Sequence, residues 1–465
     1  MENLIYKNTL GRKVTTLQVS RLGKAAIIGL FIGLLLTGSA LAQGQPMTVV
    51  FSTNEDYDIS MYGTDEGLEE VKRDFELVKE LGLSYLRVSF SWSNYEIARG
   101  EFANLEWLHD FVNLADEYDI TLMPYLCYAP MWAARHGLWS DPPEDYQDWY
   151  DYVHRMVSEF KDQIHYWEIW NEEDLDMWFA GTVDEYVKLL EVGARAVRDA
   201  NPEATVIMGG LTWPNDAWVE EVLDQLGPDA FDILPIHSYA ESWSASSVES
   251  YLKPWGSDFD LIASILDEKG KGQPIWLNEI GYPTIGDKTE LDQARFIRRA
   301  VATLMASKQI SLISWYEIKD LRQDTHLGVI GDNNNYHLGI TYPDRTKKIG
   351  FYTLQDLVRE LNDTPLTYID TGLKFTELRP GDMEPIIYLH GFRREEDGKL
   401  FLFAWLYGPY DEVEVNLELP WDIKEAVEHE LDGTLEPVET LQGKEIQAVK
   451  LVRDDARLFE ITLAD

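Results

Sequence analysis

The chain has few of the residues that build disulfides and metal centres. It contains one cysteine, Cys127, among 465 residues, so it cannot form an intramolecular disulfide and must rely on its core for stability. Because free cysteines are among the most often buried residues, we expect Cys127 to be a buried, inert thiol. The nine histidines are scattered, without a His-Glu-x-x-His pattern or a Cys/His cluster, so the common zinc motifs are excluded.

Basic residues are also scarce. The sequence has 40 Lys and Arg against 82 Asp and Glu, for a formal net charge of -42. Proteins bind nucleic acid through Lys and Arg that neutralise phosphates, so this composition argues against a nucleic-acid partner. The same charge repels polyanionic substrates and favours neutral ones. A Gly-x-Ser-x-Gly elbow, a phosphate-binding loop and a dinucleotide fingerprint are all absent from the sequence, so we predict no cofactor.

The first 42 residues have the pattern of a signal peptide. Basic residues at 12–24 precede an apolar run at 25–36, and small residues at 39–42 precede Gln43. We therefore expect cleavage after residue 42, export to a secreted or periplasmic location, and no stable membrane association afterwards. The apolar run is short for a spanning helix, although an uncleaved membrane anchor is the alternative.

Between about residues 48 and 361, short strand-like runs alternate with longer runs that have helical periodicity. Such alternation is typical of βαβ units, and eight rounds of it predict a (β/α)₈ TIM barrel. The predicted strands are 48–52, 85–90, 121–127, 165–170, 205–209, 233–237, 275–279 and 311–316. The clearest predicted helices are 68–81, 105–118, 149–160, 183–200 and 291–306.

After about residue 361 the pattern changes to strands alone. Alternating or apolar runs at 386–390, 400–406, 413–419 and 458–463 are separated by glycines and prolines, which predicts a small C-terminal antiparallel β-sandwich. The predicted organisation is a signal segment at 1–42, a catalytic barrel at 43–365 and a sandwich at 366–465. The sequence does not indicate an oligomeric state.

Two glutamates close predicted barrel strands. Glu172 ends the fourth strand and Glu279 ends the seventh, and active sites of barrel enzymes lie at the C-terminal ends of the strands. A single glutamate there could instead cap a helix or form an ion pair. Two such endings, each preceded by asparagine and an aromatic-rich strand, favour catalysis. Cleavage of a glycosidic bond requires a carboxylic acid and a second carboxylate on opposite sides of the sugar.

The sequences around these glutamates resemble a known group of enzymes. Segments 170–172 (Trp-Asn-Glu) and 278–282 (Asn-Glu-Ile-Gly-Tyr) are similar to the acid/base and nucleophile signatures of glycoside hydrolase clan A, notably family 39 and cellulase-like family 5. The resemblance covers the whole predicted barrel. Other matching positions are the second-strand arginine, the sixth-strand pair and the eighth-strand tryptophan that floors the sugar subsite, here Arg87, His237, Tyr239 and Trp315.

The resemblance implies a retaining glycoside hydrolase that cleaves β-glycosidic bonds of a neutral poly- or oligosaccharide by double displacement. Glu279 would attack the sugar, while Glu172 would first donate a proton and then remove one from water. We expect the negative partner opposite to raise the pKa of Glu172. Asn171 would bind the sugar 2-hydroxyl, and Arg87 would keep Glu279 ionised.

Other interpretations of these residues remain open. Arg87 could belong to a structural ion pair, His237 could be a hydrogen-bonded core residue, and Trp315 could plug the barrel. The barrel could also be a non-catalytic carbohydrate-binding or biosynthesis-associated protein, or a transglycosidase that shares the covalent intermediate. Some of seven aromatic residues are expected to stack on sugar rings, namely Trp92, Tyr128, Trp132, Trp139, Trp178, Trp243 and Trp276.

Three polar segments are expected to lie near the cleft or in solvent. Residues 54–58 could bind calcium, but a solvated loop is the favoured interpretation. Residues 173–176 replace the proline that many clan members have after the acid/base glutamate, and they predict an acidic loop beside the cleft. Residues 331–337 follow the eighth strand, where loops shape the cleft. We predict no metal site.

Overall fold

The structure is a computed structural model that describes residues 46–252, 258–322, 332–369, 371–378 and 384–464. The predicted signal segment at 1–42 lies outside the described residues. All described residues belong to one compact unit. Within these residues, none of the helices combines the length and the apolar character that a membrane span requires.

The N-terminal part is a parallel barrel, as the sequence predicts. Its strands are hydrogen-bonded in the order β5-β4-β3-β2-β1-β8-β7-β6. Parallel bridges from Ile207 to Ile233 and from Leu211 to Ile236 join the two edges of this sheet. The strands are β1 (Val50–Asn54), β2 (Tyr85–Ser91), β3 (Thr121–Cys127), β4 (Tyr166–Ile169), β5 (Thr205–Ile207), β6 (Leu234–Ser238), β7 (Ile275–Ile280) and β8 (Ile310–Trp315).

Amphipathic helices surround the barrel and bury one apolar face each against it. Side-chain caps fix where several of them begin. Thr182 and Glu185 form a reciprocal capping box before α4, and Thr289 and Asp292 form another before α7. The helices are α1 (Asp65–Leu81), α2 (Leu105–Glu117), α3 (Tyr146–Phe160), α4 (Val183–Ala200), α5 (Asp216–Leu226), α6 (Asp258–Lys269), α7 (Glu290–Ser307) and α8 (Ile349–Leu361).

Short elements lie in the loops between barrel strands and helices. They are the helices Ile59–Tyr62 and Trp92–Tyr95, the hairpin strands Glu96–Ala98 and Glu101–Phe102, and the 3₁₀ helices Val248–Leu252 and Asn334–Tyr336. Cys127 ends β3 and is fully buried, and burial raises the pKa of its thiol well above the ordinary value. The expectation of a buried, inert thiol is therefore confirmed.

The C-terminal part is a β-sandwich, again as predicted. One sheet has the order β9-β11-β12-β18-β14-β15 and the other has the order β10-β13-β17-β16. Alternating apolar side chains of the two sheets form a second core, which includes Leu402, Val415, Leu451 and Ile461. The strands are β9 (Leu366–Ile369), β10 (Lys374–Glu377), β11 (Ile386–Arg394), β12 (Leu400–Tyr407), β13 (Glu412–Glu418), β14 (Ile423–His429), β15 (Leu435–Pro437), β16 (Leu441–Gln442), β17 (Glu445–Val452) and β18 (Arg457–Leu463).

Polar contacts join the sandwich to the barrel. The backbones of Met47 and Leu366 exchange two hydrogen bonds of 2.8 Å, which link the entry to the barrel with the first sandwich strand. The Trp405 indole donates to Glu249 at 3.0 Å. The Arg298 side chain of α7 also donates to the Glu430 carbonyl, so the sandwich packs on the outer helical layer of the barrel.

Candidate active site

A cavity of about 600 Å³ opens at the C-terminal ends of the barrel strands. Of the predicted site residues, Asn171, Glu172, Tyr239 and Glu279 line it directly. Arg87 and His237 lie behind this surface and are almost completely buried. Glutamates that are far apart in the sequence are thus brought to one place by the fourth and seventh strands.

The two glutamates face each other across a short gap. One carboxylate oxygen of Glu172, one of Glu279 and a ring nitrogen of His237 all lie within 4.8 Å of one another. Both carboxyl side chains are mostly buried, with 9% and 7% of Glu172 and Glu279 exposed. The convergence expected from the strand ends is present in the structure.

A strained turn positions the residues that follow β4. Trp170 and Glu172 have φ values of 77° and 50°, which are uncommon for bulky side chains. Hydrogen bonds of 2.9 Å from the Trp170 amide to Leu126 and from the Glu172 amide to Gly210 hold this conformation. The turn places the side chains of Asn171 and Glu172 on the cavity surface.

Arg87 is the centre of a buried network of hydrogen bonds. Its guanidinium donates to Glu279 at 2.6 Å and to the Asn171 side-chain oxygen at 2.7 Å. It also makes a bidentate pair with Glu168, with both bonds at 2.8 Å. Asn278 donates to the same Glu168 carboxylate at 3.0 Å. The arginine therefore connects the two strand ends that carry the facing glutamates.

Glu168 is a site residue that sequence reasoning missed. It lies inside β4, is 1% exposed, and orients the arginine that contacts Glu279. A carboxylate within an otherwise apolar strand of a buried barrel requires a cationic partner, because an unpaired charge there is costly. The alternation Trp167-Glu168-Ile169 was therefore an available signal that Arg87 has a second acidic partner.

We expect Glu168→Gln to lower kcat about 10- to 100-fold, because Arg87 would lose one ionised partner and shift relative to Glu279. The amide still accepts one hydrogen bond, so Asn171 and Glu279 stay in contact with the guanidinium. Steady-state kinetics and thermal unfolding of the same preparation measure the effect. An unchanged kcat in Glu168→Gln would contradict the positioning role. The exposed Glu101→Gln is the control, and an equal loss of kcat in that variant would show that the effect is not specific to Glu168.

Tyr239 and His237, both expected beside Glu279, contact the glutamate pair. The Tyr239 hydroxyl donates to Glu279 at 2.7 Å. His237 Nδ1 lies 2.8 Å from Glu172 and 3.3 Å from Glu279, so the imidazole bridges both carboxyl groups. A side chain at Gly210 would lie 2.1 Å from His237 Nε2, so only glycine leaves room for the ring.

Burial is the main cause of the pKa shifts in the site. It raises the pKa of Glu172 to about 8, and the nearby Asp174 raises it further, while Arg87 opposes the shift. Burial is therefore the largest cause of the shift, whereas the expectation named the facing carboxylate. Burial also raises the pKa of Glu279, against the opposing effects of His237 and Arg87. Burial lowers the pKa of His237, which favours the neutral imidazole.

The predicted role of Trp315 is wrong. Trp315 is 3% exposed, donates to the Leu338 carbonyl at 3.3 Å, and packs edge-to-face on Phe296, outside the cavity. The next residue, Tyr316, lines the cavity instead. Successive side chains along a strand point to opposite sides, so a shift of one residue exchanges the buried and cavity-facing positions.

The aromatic residues expected to stack on sugars divide into two groups. Tyr128, Trp178 and Trp243 line the cavity, and Trp139 contacts the first two at its edge. The others do not line it. Trp92 is fully buried, Trp132 packs on Trp92, and Trp276 packs on Tyr166 near the start of β7.

One polar segment differs from expectation. Residues 54–58 do not form a solvated loop, because Asn54 and Glu55 are buried and Asp56 accepts hydrogen bonds from the Tyr125 hydroxyl and the Ser89 amide. The Glu55 carboxyl group pairs with Lys319, whereas Asp56 and Asp58 line the cavity.

Residues 173–176 lie beside the cavity, as expected, and two of their acidic side chains are held by the protein. The Glu173 carboxyl is 1% exposed, and a side chain at Gly209 would lie 2.0 Å from it. Asp174 accepts from Thr212 and Asn215. In the described part of segment 331–337, Asp332 and Asn335 line the cavity, as expected for a loop after the eighth strand.

The cluster of Glu172, His237 and Glu279 also has the donor atoms of a metal site. The Arg87 guanidinium, which donates to Glu279 at 2.6 Å, already supplies a positive charge at the same carboxylate. A second cation there would be repelled at short range. The arrangement therefore favours proton exchange between the carboxyl groups over metal binding.

Comparisons with known proteins agree with this geometry. The sequence profile of the Cellulase family, glycosyl hydrolase family 5, matches residues 42–318. The chain belongs to this family. Its barrel is therefore a clan A barrel. The matched region includes both facing glutamates.

The individual relatives have low sequence identity to this chain. A β-xylosidase from Caldicellulosiruptor saccharolyticus is 27% identical over 184 residues, which cover 34% of this chain and 37% of the relative. The chain thus aligns with little more than a third of that curated relative. Among solved structures, a family 39 glycoside hydrolase from Bacteroides cellulosilyticus WH2 has a TM-score of 0.68 and 18% identity, covering 90% of this chain and 81% of its own.

A further solved structure shares the whole architecture. A monomeric β-xylosidase from Caulobacter crescentus CB15 has a TM-score of 0.59 and 14% identity, with coverage of 90% of this chain and 97% of its own. At these identities the likeness shows the fold alone, including both barrel and sandwich.

Proposed function

We propose that this protein is a retaining glycosidase that cleaves β-glycosides of neutral sugars by double displacement. The observation that carries the proposal is the gap of at most 4.8 Å between an oxygen of Glu172 and one of Glu279. Retaining enzymes hold their carboxyl groups about 5–5.5 Å apart, whereas inverting enzymes need about 6.5–9.5 Å to admit a water molecule.

The residues divide the reaction between them. Glu279 attacks the anomeric carbon while Glu172 gives its proton to the departing oxygen, which leaves a glycosyl ester on Glu279. Glu172, now a carboxylate, removes a proton from water as the water attacks the ester and releases Glu279. Tyr239 and Arg87 hold the two oxygens of Glu279, and Asn171 lies where it can bind the hydroxyl beside the anomeric carbon.

The charge of the cavity supports a neutral sugar. Carboxyl groups of Asp56, Asp58 and Asp332 line it together with the two glutamates, and no Lys, Arg or His is found among its described lining residues. A uronate would meet like charge at short range. The names of the xylosidase relatives make a β-xyloside the first substrate to test. We further propose that the mature enzyme acts outside the cytoplasm, with residues 1–42 as its export signal.

The stereochemistry of the product tests the retaining mechanism. Proton NMR during hydrolysis of an aryl β-xyloside should detect the β-anomer first, with the α-anomer appearing only by later mutarotation. Initial release of the α-anomer would overturn the double displacement. Product analysis at high acceptor concentration separates hydrolysis from the alternative, transglycosylation.

The pH dependence of the enzyme should have a basic limb near pH 8. Glu172 must be protonated to act as an acid, and burial raises its pKa to about 8, so kcat/KM should be high below that pH and fall above it. Measurement of kcat/KM against pH, with a substrate whose leaving group must be protonated to depart, checks this. The fall of kcat/KM near pH 8 should be absent from the Glu172→Gln variant. If the variant still shows it, the ionisation belongs to another group.

Neutral and acidic substrates of equal size should differ strongly. We expect kcat/KM for an aryl β-glucoside to exceed that for the matching β-glucuronide by at least about 100-fold, because like-charge contacts cost several kcal/mol. Parallel assays of β-xyloside, β-glucoside and β-glucuronide at moderate ionic strength measure the ratio. Equal rates for the last two would contradict a neutral-sugar site.

A further inference from the structure

The walls of the cavity differ in polarity on its two sides. The side formed after β1 and β2 is polar, with Asp56, Asp58, Ser89, Ser91 and Asn94. The side formed by the loops after β3 and β4 is apolar and aromatic. We call this second side the apolar wall. It consists of the lining residues Tyr128, Leu175, Met177 and Trp178, together with Trp139, which contacts Tyr128 and Trp178 at the cavity edge.

The apolar wall is a preformed set of rings with exposed aliphatic neighbours. Tyr128 and Trp178 are stacked at 5.8 Å with an interplanar angle of 24°, and Trp139 meets both edge-on at 4.8 and 5.5 Å. Leu175 and Met177 are 40% and 46% exposed. An apolar side chain exposed beside a reacting carboxyl offers contact area to a ligand.

The position of the apolar wall relates it to the leaving group. Leu175, Met177 and Trp178 are on the same loop as Glu172, and Asn171 donates to the Tyr128 hydroxyl at 3.1 Å. The acid must lie against the oxygen that it protonates, so the group attached to that oxygen lies on the side of Glu172. The sugar that is attacked by Glu279 instead faces the polar side of the cavity, which offers partners for its hydroxyls.

The apolar wall has few hydrogen-bonding groups for a second sugar. The Tyr128 hydroxyl accepts from Asn171 and keeps its own proton as a donor, while the Thr212 hydroxyl beside the wall donates to Asp174. A sugar can also stack on these rings, but its hydroxyls find few partners on this wall, whereas an aromatic ring needs none.

We propose that the leaving-group subsite selects an aromatic aglycone, so that the preferred substrates are β-glycosides of phenols or similar rings rather than oligosaccharides. This inference rests on the proposed function for the assignment of Glu172 as the acid. It makes Trp139, Leu175 and Met177 specificity-determining residues, and it narrows the substrate from carbohydrate in general to aryl glycosides.

Binding of thioglycosides tests the proposal, because the carbon–sulfur bond resists hydrolysis and affinity is then read without turnover. The wild-type enzyme should bind phenyl 1-thio-β-xyloside about 5- to 10-fold more tightly than methyl 1-thio-β-xyloside. It should also bind the phenyl compound more tightly than an S-linked xylobiose. Calorimetry or inhibition constants provide the values.

Variants show whether the apolar wall is responsible. The double variant Trp139→Ala with Met177→Ala should reduce the advantage of phenyl over methyl to within about 2-fold, with methyl affinity unchanged. Trp213→Ala removes another exposed tryptophan, 58% exposed and outside the described cavity lining, and is the matched control. Thermal unfolding of each variant verifies that the exposed substitutions leave the fold intact.

The outcomes separate this proposal from the proposed function. Tighter binding of S-linked xylobiose, equal binding of phenyl and methyl compounds, an unchanged phenyl advantage in the double variant, or no binding by any of them would overturn the aromatic subsite. Phenyl-selective binding with no hydrolysis of the corresponding O-glycoside would support the subsite and contradict only the proposed reaction.

Discussion

Replacement of Glu279 with glutamine is expected to lower kcat for an aryl β-glycoside by about 10⁴- to 10⁶-fold, the loss typical of removing one member of a cooperative catalytic group. An amide cannot form the glycosyl ester, so both steps of the reaction are lost. Arg87 would still donate to the amide oxygen and retain its bidentate pair with Glu168, which preserves the surrounding network. Substrate binding and unfolding temperature should therefore change little.

The exposed Glu101→Gln is the matched control for this substitution, since it makes the same chemical change away from the cavity. It should keep wild-type kinetics. A Glu279→Gln enzyme that retains more than about 1% of wild-type kcat, after contamination is excluded by repeat purification, would remove Glu279 from the nucleophile role.

Replacement of Glu172 with glutamine is expected to lower kcat about 10²- to 10⁴-fold, with the larger loss for poor leaving groups. A dinitrophenol departs without protonation, so the first step should survive with that substrate and the glycosyl ester should accumulate. The amide can still accept a hydrogen bond from His237, whose Nδ1 lies 2.8 Å from the carboxylate in the wild type.

Azide distinguishes loss of the acid/base from general damage. It attacks the ester without giving up a proton, so it should restore turnover of the dinitrophenyl substrate by Glu172→Gln and yield a β-glycosyl azide. The same addition should leave Glu279→Gln inactive. Failure of azide to raise the rate of Glu172→Gln would contradict its role as the base of the second step.

The barrel was predictable from sequence because its strands are buried on both faces and its helices are amphipathic. All eight predicted strands lie within about two residues of the observed ones at each end. The prediction of the sandwich strands was less complete. Strands Ile423–His429 and Lys374–Glu377 contain exposed charged residues and lack the apolar runs that mark a strand. The second of them is also a short strand at the edge of its sheet.

The site residues were predictable where a side chain able to act in catalysis lies at the end of a barrel strand. Glu172 and Glu279 met that condition, as did Tyr239 just beyond β6. Trp315 failed because sequence cannot tell which of two adjacent aromatic residues faces the cavity at the end of a strand. Glu168 was missed because it lies within a strand and not at its end, although a carboxyl group in an apolar strand signals a cationic partner, here Arg87.

The pKa of Glu172 shows a further limit of sequence reasoning. Burial is the largest cause of the raised pKa and Asp174 adds to it, whereas the sequence indicated only the facing carboxylate, which lies within 4.8 Å. Burial depends on how Leu126, Gly210 and Trp178 pack around the turn after β4. A motif identifies the carboxyl group, whereas its environment requires the packed structure.

Trapping of the covalent intermediate tests the central claim most directly. A 2-deoxy-2-fluoro β-xyloside with a dinitrophenyl leaving group should inactivate the enzyme, because fluorine slows the second step more than the activated first step. Mass spectrometry of a peptic digest should then find one fluoroxylosyl group, on Glu279. A label on any other residue, or inactivation without a covalent adduct, would contradict the facing pair of Glu172 and Glu279 as acid/base and nucleophile.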